Sequence, residues 1–372
     1  MNIDLATYQQ DHAFYGSFEG IFTVKSFDLA AIRRRYLDAT AKKQERTGSV
    51  ERRPVSTGGL VWASFEDGRM TAHEVLCHTP EPRGIAFKAG QLAISSENEV
   101  YLLSDKETKT IRNDWFSYIH TLDFHPEQNR LLIASSGLDC IIEIDLDTLE
   151  QVNSWHAWDH GINEGKDAKG KTLYLTRDEF QAETLRSQGH QVSCITNPAG
   201  QVLPTANRAA FINGAYYDPE FPEDVIATLF HSGEIRCINF SDGSHYPVLE
   251  GLSCPHGGRR LNDDELMVTN TKKGQVVRIT DEDRFIYDFS NLDGKAKGLE
   301  KMEWLQNSHP YKDHIVTFDA NRCSLVLFHH GKKKYDKIVM DDNWAVQDFM
   351  LMEKVPKSLR ASVKALFNDQ PS

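Results

Sequence analysis

A unit of about forty residues recurs along this chain, and no other feature of the sequence constrains the fold as tightly. Each copy is an apolar strand, a polar turn and a second apolar strand. Copies read at LVWASFEDGRMTAHEV (60–75), QLAISSENEVYLLS (91–104), RLLIASSGLDCIIEIDL (130–146) and TLYLTRDEF with VSCIT (172–196). They continue at DVIATLFHSGEIRCINF (224–240), ELMVTNTKKGQVVRIT (265–280) and HIVTFDANRCSLVLF (314–328). Alternating apolar residues around Gly, Asn and Asp turns are hairpin chemistry. A shorter segment recurs between the hairpins: PRGIAF, IHTLDF, DHGINE, ANRAAF, PHGGRRL, GLEKMEW and WAVQDFMLM. Its matched positions are Arg83, His120, His160, Asn207, His256, Glu300 and Ala345, spaced 37 to 49 residues apart.

Such regularity in an all-β chain is the signature of a propeller, with four strands to a blade. The first hairpin has no short segment before it, and the last short segment has no hairpin after it. The expectation is a seven-bladed β-propeller whose ring is closed by pairing the N- and C-terminal strands, with WAVQDFMLM as the innermost strand of the first blade. Closure removes exposed sheet edges. Six blades is the alternative, if 160–205 is an insertion, because GINEGKDAKG is polar for an inner strand. Three helical pieces interrupt the pattern: one within a 26–58 insertion, one within a hairpin insertion at 178–191, and one at 357–372 with a tail. No linker divides the chain, so residues 1–372 read as one domain.

Two stretches, IHTLDFHPEQNRLLIASSGLDCIIEIDL and PHGGRRLNDDELMVTNTKKGQVVRI, resemble bacterial propellers of the NHL and gluconolactonase-like kind. With YYDPEFPEDVIATLFHSGEIRCINF they also resemble the arylsulfotransferase propeller. The resemblance covers roughly residues 80–330 at the level of blade grammar. It implies the fold. The gluconolactonase-like ligands, Glu, Asn and Asp on calcium or zinc, and the arylsulfotransferase His with its His, Arg and Asn neighbours find no full match.

In a propeller the innermost strands line a central channel, so matched positions form a ring. The expected ring is Arg83, His120, His160, Asn207, His256, Glu300 and Ala345. Three residues onward the matches are Ala86, Asp123, Asn163, Ala210, Arg259, Glu303 and Asp348. Imidazoles and a carboxylate converging on one axis suit a divalent metal, with second carboxylates fixing the imidazoles. The expected ligands are therefore His120, His160, His256 and Glu300, around zinc or iron in preference to calcium. Glu300, Asp123, Arg83 and Glu303 are the candidate catalytic groups. His231, on a hairpin turn, is a separate candidate, and Trp155 and Trp158 a candidate ligand wall. His329 and His330 before GKKK read as a solvated loop.

The expected function is a hydrolase, lyase or isomerase acting on a small organic molecule at this polar channel. Two rivals stand beside it. One is a non-catalytic scaffold gripping a protein on its rim loops. The other is a sulfotransferase-like enzyme with His256 or His231 as nucleophile and Arg83 or Arg259 on the anion. Lys plus Arg is 42 against Asp plus Glu 54, a net charge of −12, which disfavours nucleic acid and anionic lipid as partners. No basic-then-apolar leader opens the sequence, no run of 18 apolar residues exists, and six scattered Cys form no CxxC motif. A cytoplasmic protein with reduced, buried thiols is expected. There is no GxSxG, GxxxxGK[ST] or HExxH, so the chemistries those motifs serve are excluded.

Overall fold

Strands such as Arg130–Ser135 and Cys140–Asp145 are apolar at nearly every position rather than at alternate ones. Such a strand has both faces covered, which requires sheets packed face to face. The outer strand beside them, Gln151–His156, is mostly polar and exposed at its start. The computed structural model, which describes residues 1–41, 54–167 and 169–366, resolves this gradient into seven separate sheets.

Six sheets are antiparallel meanders of at least four strands. Their first strands are β1 (Ile85–Lys88), β2 (Ile119–Phe124), β3 (Ile212–Tyr217), β4 (His256–Asn262), β5 (Leu305–Tyr311) and β6 (Val346–Met352). β6 pairs antiparallel with Phe18–Val24, so one sheet joins residues from both ends of the chain. Each first strand contacts the next, β2 contacts β3 directly, and β6 contacts β1. Threonines of one sheet hold the backbone of its neighbour: Thr121 Oγ1 accepts from Ala215 N–H (2.9 Å), Thr228 Oγ1 from Gly258 N–H (2.9 Å). Thr23 Oγ1 donates to the Arg83 carbonyl (2.8 Å). A β-branched hydroxyl thus both fills a strand position and satisfies a buried peptide group.

The seventh sheet differs. Glu164–Lys166 pairs antiparallel with Thr172–Thr176, but Thr172–Thr176 pairs parallel with Val192–Cys194. The crossover is a helix, Glu179–Ser187, capped by Asp178 Oδ1 on Gln181 N–H (3.1 Å). This βαβ unit stands outside the cycle of contacts made by β1–β6, where the fourth hairpin was expected. The sequence turns polar here, and GINEGKDAKG cannot line a strand packed on both faces.

The N-terminal residues strap the outside. Asn2–Asp4 adds parallel to Arg284–Asp288, and Gln9–Gln10 adds parallel to Lys334–Val339. Between strap and first sheet, the buried Asp336 accepts from Tyr15 Oη (2.6 Å) and bonds His12 Nδ1 (2.8 Å). The other helices are Leu29–Ala41 and Lys357–Ala365; residues 42–53 of the expected insertion and 367–372 of the expected tail lie outside the described residues. No helix among the described residues is long and apolar enough to cross a membrane.

Candidate functional site

The register of each inner pair fixes which residues share a level. Opposite equivalent residues of the second strands stand His120, Asn213, His256, Gln306 and Gln347 near the starts of the inner strands, and Arg83, just ahead of β1, lies close enough for its charge to act on His120. Three residues on stand Asp123, Tyr216, Arg259, His309 and Met350, again opposite equivalent residues. Each inner strand except β1 carries a bulge between the levels, which turns the side chains inward again.

The first level is closed upon itself. Arg83 is fully buried; it is paired with Glu81 and Glu97 (3.1 Å to the latter) and lies over the Tyr118 ring at 3.5 Å. His120 Nδ1 meets the Tyr118 carbonyl (3.3 Å), and His256 Nδ1 meets Thr271 Oγ1 (2.8 Å) and the Cys254 carbonyl (3.2 Å). Burial keeps both imidazoles neutral, His256 down to about 3; the charges of Arg83, Arg208 and Lys25 push His120 the same way. Lys25 Nζ donates to Gln347, and Gln347 to Gln306, each at 3.0 Å.

The metal set expected from sequence does not assemble. His160 lies on a short helical turn outside the inner strands, stacked on Trp155 (5.0 Å between centroids) and beside His245. Glu300 is exposed on a loop, where its Oε1 accepts from Gly298 N–H (3.0 Å). His160 falls outside because its repeat forms the βαβ unit and has no inner strand in the cycle, and Glu300 because the inner strand of its repeat begins later, at Leu305. His120 and His256 remain together, but three neighbouring cations oppose a further positive charge. Glu303 is not catalytic in position either: it joins Lys295 and Arg322 in a buried network away from the inner strands. Trp155 and Trp158 are buried in the core, not on a channel wall, and His231 Nε2 bonds the Thr205 carbonyl (2.8 Å).

Among the described residues one cluster brings three metal-type ligand atoms within 4.8 Å, Asp313, His314 and His329. It is ill suited to an ion. His329 Nδ1 accepts from Lys332 N–H (3.0 Å), so Nε2 carries the proton and donates to Asp313 (3.0 Å), which Lys332 Nζ also holds (2.9 Å).

The second level opens on a cavity of about 380 Å³. Asp123, Tyr216, Arg259 and His309 line it together. Asp123 Oδ2 accepts from Tyr217 N–H (2.9 Å), yet burial pushes its carboxyl up to about 6 against that bond and the Arg259 charge. His309 Nε2 donates to the buried Asp348 Oδ1 (2.5 Å). Burial and Arg259 hold this imidazole below its ordinary value, opposed by Asp348. Arg259 lies over the Tyr216 ring at 3.8 Å; among the described residues its buried Nε and Nη2 have no hydrogen-bond partner, and neither has Tyr216 Oη.

No family model matches the chain, and no curated protein does. Solved structures do. A chain of the nidogen/laminin complex aligns at 11% identity with a TM-score of 0.52, covering 90% of this chain and 98% of that one. The fold is a β-propeller. A Bacteroides caccae protein of unknown function aligns at 12% (TM-score 0.48, 79% and 95% covered). A catalytically inactive virginiamycin B lyase from Staphylococcus aureus, solved with quinupristin, aligns at 11% (TM-score 0.41, 75% and 72% covered). The likeness is one of fold, and what the propeller does must be argued from its own residues.

Proposed function

We propose that the chain is a one-domain, six-bladed propeller closed by β6, and an enzyme that moves protons on a small organic molecule in the Asp123 cavity. Six inner strands in cyclic contact support the blade count. One observation carries the function: a His–Asp pair and a carboxyl held near 6 face the same cavity.

Asp348 takes the Nε2 proton of His309 in a hydrogen bond, which leaves Nδ1 as the basic lone pair and steadies the imidazolium once it forms. Burial, with the Arg259 charge, keeps His309 unprotonated and ready at neutral pH. Asp123, its carboxyl held near 6, supplies a proton to the other end of the reacting bond. A base and an acid on one molecule suit a lyase or an isomerase.

The test is proton NMR in D2O with pooled carbonyl compounds, neutral and anionic alike. Exchange of a C–H beside a carbonyl is expected, and His309→Asn should slow it by about 10²–10⁴-fold. Exchange that survives in a His309→Asn/Asp123→Asn double variant removes the acid–base reading. No exchange with any compound favours a scaffold gripping a partner on its rim loops.

A further inference from the structure

Arg259 is the charged residue of the second level that the acid–base reading uses least. It makes no ion pair with any described residue, although Asp123 on β2 lines the same cavity. Its Nε and Nη2 form one edge of the guanidinium, the fork whose two parallel N–H groups match the two oxygens of a carboxylate. Both atoms are buried without an acceptor. A buried charged donor left unpaired is costly, and a native structure that retains one calls for a reason. The face of the same guanidinium rests on Tyr216 at 3.8 Å, so the fork is held in one plane.

The walls beyond it are apolar: Leu122, Phe124, Pro310, Met350 and Met352 share the cavity. A second cation stands at its edge, where Lys88 Nζ donates to the carbonyls of His125 and Pro126 (2.8 Å to the latter). A volume of about 380 Å³ lies within the range of small-molecule sites.

Resting on the reading of this cavity as the reaction site, we propose that its substrate is a monocarboxylic acid with an apolar body. The carboxylate takes the Arg259 fork, the hydrocarbon lies on the Leu122–Phe124 wall, and the carbon beside the carboxylate is offered to His309. The fork then also stabilises the charge that builds on the carboxylate oxygens as the proton leaves. In the balanced step, His309 Nδ1 takes the C–H proton. The freed pair forms a C=C bond toward the adjacent carbon. The group leaving that carbon, or the next carbon of an allylic acid, takes a proton from Asp123.

Acetate, hexanoate, benzoate and phenylacetate, each against its neutral amide, are the probes, read by isothermal titration and by the shift in melting temperature. At least one acid should bind and raise the melting temperature while its amide does not. Arg259→Gln should weaken that acid roughly 10–100-fold. Arg259→Lys should recover only part of it, since an ammonium is a point charge. His309→Asn should leave binding intact while abolishing C–H exchange, which separates this inference from the acid–base reading. If no acid is preferred to its amide in the native protein, or if Arg259→Gln binds the acid undiminished, the proposal is wrong.

Discussion

The two levels of the channel are built from the same six strands, three residues apart, and they solve opposite problems. At the first level the buried cation Arg83 is paired with two glutamates, and two glutamines link β5 to β6. At the second, Arg259 has no ion pair among the described residues, Asp123 is a poor carboxylate, and an imidazole leans on an aspartate in front of a cavity. Polar side chains in a channel are not evidence of chemistry by themselves. The level that spends its polar groups on one another holds the sheets together, and the level that leaves them unspent can bind something else.

This contrast can be broken by experiment. The largest effect is expected from Arg83→Met, which takes the buried guanidinium away from Glu81 and Glu97 and should cost about 3–5 kcal/mol in chemical denaturation. Arg259→Met should cost under about 1 kcal/mol, the value of a cation–π contact. Equal losses would erase the distinction between the levels. Next in size is the split in activity: His309→Asn should lose about 10²–10⁴-fold in rate, while His120→Asn loses at most a few-fold.

A smaller effect reads the Asp123 carboxyl. Its folded value lies near 6 and its unfolded value near the ordinary 3.8, so the folded state binds the extra proton between them. Ionising it above pH 6 therefore works against folding. Asp123→Asn should match the native protein in stability at pH 4 and exceed it at pH 7.5; a variant less stable at pH 7.5 would mean the carboxylate is welcome there. The smallest effect is Glu300→Gln, exposed on its loop, which should stay within about 0.5 kcal/mol and leave activity unchanged.

Much of this was legible in the sequence. Six of the seven hairpins fall on antiparallel strand pairs, and WAVQDFMLM does pair with Phe18–Val24. His120, His256, Asp123 and Arg259 do fall on the expected strands at matching register. Misplacement came in four repeats: Asn207, Glu300 and Ala345 stood in for Asn213, Gln306 and Gln347, and His160 for a strand that does not form. The short segments ANRAAF and GLEKMEW imitate inner strands that begin a few residues later. Counting back from the hairpins recovers them, since the turns in YYDPEFPEDV and SHPYKDHIV sit directly ahead of the second strands. His309 was missed with its strand. The free fork of Arg259 was not readable at all, because it depends on what the neighbouring sheets fail to offer.

The pairing of β6 with Phe18–Val24 also sets the order in which this molecule can be made. During synthesis, an apolar strand near the start must wait for a partner more than three hundred residues away. Contacts of such separation are slow to form, and although Thr57–Glu66 covers one edge of this strand early, the other edge stays open and prone to aggregation while it waits. The interval between translating Val24 and translating Met352 is thus a window of vulnerability. Its length depends on the speed of the ribosome and not on the final stability of the fold. A slower ribosome, or a pause late in the message, should lower the soluble yield of this protein even when every finished molecule is equally stable.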